Sequence, residues 1–233
     1  MSTKQYDTLE GSLTVRPTPT VSRSGGSNAV AIIGGYDSAN AGTDVSAGEA
    51  TKITDPVNAE DQFGESEIAR AAALATANGS NNLYGVPVSN SATTESFTST
   101  SSFTLSEDYI VDPMLNPDES ITVTDTIAST DLTVNIVYKD TVPTPSDADT
   151  ANVNPISGDI ETDASSDYDV TYSTRDYTNA LSAAADLPVR YLCVLTEDPS
   201  VKASVTTELS DIAAEFDFKR AVVGADPNIQ PTD

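Results

Sequence analysis

The chain has 233 residues, with 36 Asp and Glu against 11 Lys and Arg, no histidine, and a formal net charge of −25. Charge on this scale works against a compact state through self-repulsion, and it argues against direct contact with nucleic acid or insertion at an anionic membrane, whose phosphates would be repelled. Without histidine the chain also lacks the usual catalytic base and the commonest metal ligand, which points toward a structural role.

A hydrophobic content of 38% and several apolar runs imply a folded chain. The acidity therefore reads as adaptation to a solvent that screens it. At molar salt the Debye length falls to roughly 3 Å, and the self-repulsion largely vanishes. A high-salt cytoplasm, such as that of halophilic archaea, is the expected setting, with stability rising toward molar salt.

Residues 1–28 are polar and interrupted by Pro17 and Pro19, then by Ser24-Gly25-Gly26-Ser27. They read as an extended N-terminal arm on a flexible hinge, with Leu13-Thr14-Val15 able to pair as a short strand. Met1–Glu10 lacks the apolar centre of a signal peptide, so secretory export is not expected. No apolar run reaches transmembrane length.

Ala29–Gly35 (AVAIIGG) is a continuous apolar run ending in glycines, which predicts a strand buried on both faces. Residues 36–63 read as a long loop with one short strand near Thr51–Thr54. Glu65–Ala77 predicts a helix: acidic residues begin it, Asn78-Gly79 stops it, and Ile68, Ala71, Ala72 and Ala75 form a narrow stripe for close packing on a sheet. Leu83–Val88 (LYGVPV) is the next strand, completing a βαβ unit.

From Phe97 the texture changes. Ser120–Val137 alternates apolar and polar residues, and Val170–Tyr172 continues the theme, which predicts antiparallel β structure with one wet face over 96–174. Thr141–Ser166 reads as a mobile loop within it. The α/β pattern returns with a helix at Asp176–Ala185 and an apolar strand at Val189–Leu195. Asp198-Pro199 then begins a helix whose apolar face is Val201, Val205, Leu209, Ile212 and Phe216. A last strand is expected at 219–224, and Ala225–Asp233 reads as a tail. The predicted fold class is α/β: a mostly parallel sheet flanked by helices, interrupted by an antiparallel β insertion. The expected division is 1–28 arm, 29–95 first part of the core, 96–174 inserted domain, and 175–233 second part of the core.

Chemistry-bearing patterns are sparse. Ser-His and Cys-His pairings are impossible, and no nucleophile elbow, P-loop or dinucleotide fingerprint occurs. Gly34-Gly35 reads as a strand exit in preference to a phosphate cradle, since no helix follows closely. Asp147/Asp149 and Asp163/Asp167/Asp169 could hold a hard cation, but without a glycine at the turn of a calcium loop they read as solvated carboxylates. Asn78-Gly79-Ser80 is a formal glycosylation sequon that coincides with a helix stop. Cys193, flanked by Tyr191, Leu192, Val194 and Leu195, reads as a small hydrophobe and not a nucleophile. No catalytic, cofactor-binding or metal-binding residue is assigned, no cofactor is implied, and no enzymatic activity is expected.

Between Val30 and Val88 the chain resembles the N-terminal core of contractile tail sheath proteins of tailed viruses and related injection machines. The resemblance lies in Ala29–Gly35, Thr51-Lys52-Ile53-Thr54-Asp55-Pro56 followed by Phe63-Gly64, the alanine-rich helix, and Asn78-Gly79 leading to Leu83–Val88. Leu187–Thr196 (LPVRYLCVLT), the helix after Pro199 and Arg220–Gly224 resemble the part where the sheath core resumes after an inserted β domain. Members of that family usually continue with a domain that faces the tail tube; with only nine residues given after Gly224, the resemblance implies that another polypeptide supplies that part, that the chain is a fragment, or that it is a reduced sheath-like protein. The resemblance implies a virion structural subunit of a halophilic archaeal virus or provirus. It would self-assemble as a homo-oligomer, in rings or a helical array, around a tail tube and take part in genome delivery. Its partners would be further copies of itself, the tail tube protein and other tail proteins; its places would be the virion tail and, during assembly, the host cytoplasm. Another tail or head–tail structural protein, or a surface-layer or adhesin-type protein of a halophile, is the alternative. A nucleotide-using α/β enzyme is the remaining class, and it lacks the phosphate loop or acid–base pair it would need.

Overall fold

A computed structural model describes residues 6–8, 11–13, 29–114, 119–214 and 219–224. In chain order the elements are β1 (Tyr6–Thr8), β2 (Gly11–Leu13), β3 (Val30–Gly34), β4 (Thr51–Ile53), α1 (Pro56–Phe63), α2 (Glu67–Ala77) and β5 (Leu83–Pro87). Then come β6 (Ser89–Thr104), β7 (Thr122–Asp125), β8 (Thr130–Asp131), β9 (Thr133–Ile136), β10 (Thr150–Val153) and β11 (Asp159–Asp176). The chain continues through α3 (Thr178–Ala185), β12 (Tyr191–Val194), α4 (Pro199–Ala214) and β13 (Arg220–Val223).

The α/β class is as expected. A five-stranded sheet in the order β13-β12-β3-β5-β4 is parallel except for β4, which runs antiparallel to β5 at the edge. β3 lies at its centre and is buried on both faces because its side chains alternate between two cores. Ala31 and Ile33 join Val86, Leu192 and Val194 under α3 and α4, where Leu181, Val201 and Val205 cover them. Ile32 faces the other way, onto Phe63, Ile68, Ala72 and Leu83 under α1 and α2. Gly85 makes the second layer possible: a Cβ there would lie 2.4 Å from the Phe63 ring. Ser66 caps α2 by accepting the Ala69 N–H at 3.3 Å.

The insertion is a six-stranded sheet with the path β8-β7-β11-β10-β9, and β6 pairs along the other side of β11. It has its own core, including Val123, Val153, Ile160, Tyr168, Val170 and Tyr172. Phe97 stacks on Phe103 at 4.3 Å, and Phe103 on Tyr168 at 5.8 Å.

Several expectations are corrected. The antiparallel sheet begins at Ser89 and ends at Asp176, wider than 96–174. The first residues of β6, Ser89–Glu95, are polar apart from Ala92, so no alternation announces them. The sheet is not wholly antiparallel, because β9 and β10 are parallel. Thr141–Ser166 is not one loop: it contains β10, buried throughout, and the start of β11. Its polar residues are paired in the interior, with Asn152 Nδ2 donating to the Pro143 carbonyl at 2.7 Å and Asn154 Nδ2 to that of Lys139 at 3.0 Å. The loop over 36–63 ends in α1, whose Pro56 at the first helical position is the signal for it. Within the arm, β1 and β2 pair with each other, Tyr6 opposite Leu13, so that part is a small antiparallel sheet and not a single extended segment. Thr14, Val15, Phe216 and the 225–233 tail lie outside the described residues.

Candidate functional site at the carboxyl ends of the parallel strands

The connections leaving β3 and β5 set the site. From β3 the chain proceeds to one side of the sheet, through β4 and β5; after the insertion it crosses to the other side, to β12 and β13. The carboxyl ends of β3 and β12 therefore flank a topological switch point, the place where open α/β sheets hold ligands. Gly34 permits the close approach there, since a Cβ on it would lie 2.8 Å from Leu195 Cδ1.

The insertion is joined to the core at the same place. Arg175, at the end of β11, donates Nη1 and Nη2 to the two carboxylate oxygens of Glu67, the first residue of α2, at 2.8 and 3.0 Å. The side chains are 11% and 15% exposed. Glu67 also accepts the Gly35 N–H at 3.2 Å, and the Gly35 carbonyl accepts the Ile68 N–H at 3.3 Å. A carboxylate thus takes the glycine turn's donor, so Gly34-Gly35 is no phosphate cradle. Tyr177, two residues beyond Arg175, donates its hydroxyl to the Leu195 carbonyl at 3.0 Å, and burial pushes its pKa up.

Two clefts open on either side of this junction, and Arg175 lines both. One, of about 610 Å³, is polar, with Glu107, Asp108, Asp176, Asp198 and Glu208 on its walls. Asp176 and Asp198 accept N–H groups at the starts of α3 and α4 there, from Thr178 and Ser200 at 2.9 and 2.7 Å. The other, of about 660 Å³, is floored by the carboxyl ends of β12 and β13, with Val194 and Val223 turned into one core and Leu195 into the other. The insertion roofs it with Tyr109, Ile110, Asp112, Tyr138, Pro155 and Ile156. Tyr138 donates to Asp112, whose other oxygen accepts the Met114 N–H at 2.8 Å. Burial raises the Tyr138 pKa well above the usual tyrosine range, helped by its bond to Asp112 and by the charges of Asp112 and Glu197.

Cys193 is half-buried in the floor of this cleft, and burial pushes its thiol pKa up, as suits a packed side chain and not a thiolate. The aspartate pairs do not converge. Asp147 and Asp149 are exposed, Asp167 accepts the Ser99 N–H at 2.8 Å, and Asp169 accepts the Ser96 hydroxyl at 2.6 Å, so the latter two tie β11 to β6. No group of three metal-ligating side chains occurs among the described residues. Asn78 is the C-cap of α2 and returns its amide to the Leu74 carbonyl at 2.8 Å. The residues that build the junction were not legible beforehand. Glu67 read only as a helix-start charge, Arg175 sits in a polar stretch, Tyr138 follows the end of the alternating run, and the partners of Arg175 and Tyr138 are far away in the chain. The lone arginine in Thr171–Asp176 was the one available signal.

No protein-family model matches this chain, and no curated protein matches it either.

Proposed function

We propose that the chain is a virion structural subunit, sheath-like, that self-assembles in rings around the tube of a contractile tail and takes part in genome delivery. In this reading it belongs to a virus or provirus of a halophilic host, carries no catalytic turnover, and partners copies of itself, the tube protein and other tail proteins. The observation that carries the reading is the β13 edge of the core sheet. β13 pairs with β12 on one side, and among the described residues no strand lies beyond it. Its side chains are alternately half-buried and exposed, with Val222 57% exposed. An uncovered edge offers backbone N–H and C=O groups to a strand from a neighbour, a linkage that tolerates rotation of the bodies it joins. The order of apolar strand, helix, strand, β insertion and resumed α/β core agrees with the sheath resemblance.

One feature favours the second reading, a surface-layer or adhesin-type protein. The outer face of the insertion is lined with paired hydroxyls and carboxylates, Thr94 with Thr171 at 2.9 Å and Thr104 with Asp159 at 2.7 Å. Electron microscopy of the purified full chain in multimolar and in low salt separates the two. Rings or tubes are the expected result; single particles with no assembly in either condition overturn the sheath-like reading.

A further inference from the structure

The longest uncovered strand edge among the described residues belongs to the insertion. β6 runs for 16 residues and pairs only with β11, so no described strand lies along its other side. Its first nine residues, Ser89–Phe97, stay in unbroken register with Tyr168–Asp176, and the irregularities come later, beside Ser166. At about 3.4 Å per residue this is an edge of roughly 30 Å. Edges of that length are ordinarily guarded by charge, proline or a bulge. Ser89–Phe97 has no proline and no bulge, and its one charge, Glu95, is engaged by its own chain. Glu95 accepts the Tyr172 hydroxyl, and the Ser106 N–H and hydroxyl at 3.0 and 2.7 Å. The sequence around the edge is equally bare: Glu95 is the one charged residue over 71–106, in a chain with 36 Asp and Glu and 11 Lys and Arg. We propose that the Ser89–Phe97 edge pairs with the same edge of a second copy, antiparallel about a two-fold axis, joining two insertions into one continuous sheet.

Charge selects a second copy over a foreign partner. Two bodies at −25 each repel, and they repel least where they bring the fewest charges together. A basic partner would be drawn to carboxylates, and this edge does not present them. Asp169 and Asp176, opposite Ser96 and Ser89, lie one strand back. They are occupied, Asp169 by the Ser96 hydroxyl at 2.6 Å and Asp176 by the Thr178 N–H at 2.9 Å. The side chains of the edge also suit their own copy. A hydroxyl both donates and accepts, so a row of Ser and Thr needs no complementary sequence to face itself. Thr94 and Thr171, 2.9 Å apart across β6 and β11, already form such a pair within the chain. Pairing about Thr93 sets Ser91 opposite Glu95 and Ser89 opposite Phe97, so no two charges are opposed. Backbone hydrogen bonds supply the affinity, and an edge of this length makes a small interface, so the contact is reversible and concentration-dependent. The surface is distinct from the β13 edge and does not depend on the virion reading, because a dimer suffices.

The test is sedimentation velocity of the full chain carrying Val222→Asp, over a concentration series in molar KCl. Val222→Asp puts a charge on the exposed side of β13 and closes that edge to association. A monomer–dimer equilibrium is expected, with the dimer fraction falling as KCl is lowered and the two bodies lose their screening. Adding Ala92→Asp, at an exposed position of the β6 edge, should weaken the dimer by about tenfold. Adding Ala203→Asp, the same charge at an exposed position of α4, should leave it unchanged. Hydrogen exchange of the unmodified chain provides a readout that needs no variant: amides within Ser89–Phe97 should exchange more slowly as protein concentration rises. A protein that stays monomeric at every concentration, a dimer equally tight with Ala92→Asp and Ala203→Asp, or exchange at Ser89–Phe97 that does not depend on concentration would each overturn the proposal.

Discussion

The core sheet and the inserted sheet are stabilised in different ways. β3, β5 and β12 are short, carry mostly apolar side chains and send alternate ones into two separate helix-covered cores. Apart from β10, which is buried throughout, the long strands of the insertion turn one face inward and decorate the other with hydroxyls and carboxylates, and the insertion admits Thr162, Asn152 and Asn154 to the interior because each finds a partner. The core is a matter of volume, in which a missing or extra methyl group is felt. The insertion is a matter of pairing: β6 and β11 match from Ser89 opposite Asp176 to Thr104 opposite Asp159, with register shifts near Ser166. The Arg175–Glu67 bridge is where the two regimes meet.

That bridge offers the sharpest way to break the comparison. Arg175→Ala leaves Glu67 buried without its counter-charge, and the expected loss is about 3–5 kcal/mol in urea unfolding. Arg175→Met combined with Glu67→Leu should recover most of it, because apolar side chains of similar size remove the uncompensated charge. A loss under about 1 kcal/mol for Arg175→Ala would mean the two sheets are only loosely joined.

Next in size are truncations within each core. Leu192→Ala in the α/β layer and Ile160→Ala in the insertion are each expected to cost about 2–5 kcal/mol. Differential scanning calorimetry distinguishes the outcomes that matter. If the bridge makes one cooperative unit, both variants lower a single transition; two transitions, each moved by one variant, would show independent folding.

A smaller effect concerns acid. Burial tends to raise the pKa of Glu95, but hydrogen bonds from Tyr172 and Ser106 outweigh it and hold the carboxyl below its ordinary 4.5. A group with a depressed folded pKa adds stability above its unfolded value, and that stability is lost as pH falls through the folded one. Glu95→Gln should therefore lower the melting temperature at neutral pH, and the difference from wild type should shrink steadily below pH 4.5. A difference that does not change with pH would remove the carboxylate from the account. Smallest of all, Thr94→Val on the wet face of the insertion breaks the hydroxyl contact with Thr171 and is expected to change stability by less than about 0.5 kcal/mol. A larger loss by thermal melting would show that the outer hydroxyl pairs contribute to holding β6 on β11.

The two regions also differed in how far they could be read. Ala29–Gly35 and Val189–Leu195 proclaimed buried strands because both faces are apolar, and the ends of β3 and β12 fall within those runs. The helix at 67–77 was marked by its stripe of Ile68, Ala72 and Ala75 and by the stop at Asn78-Gly79. In the insertion, β10 was hidden because Thr150 and Asn152 look like loop residues until their interior partners are known. The opening residues of β6 were hidden because their order comes from β11, not from any local pattern. The cleft was invisible for the same reason: Tyr109, Tyr138, Val194 and Val222 are separated in the chain and meet only when the insertion closes over the carboxyl ends of the core strands.

Charge, the absence of histidine, and the alternation between an α/β pattern and a β pattern are properties of residue type and short-range periodicity, so the chain itself determines them. Strand order, the switch point beside β3, the Arg175–Glu67 bridge and the placing of two tyrosines with two carboxylates in one cleft depend on contacts between distant segments. Such contacts leave no local trace, because a polar side chain is the same in sequence whether it faces water or a buried partner. Only packing the insertion against the core decides which of these residues becomes part of a site.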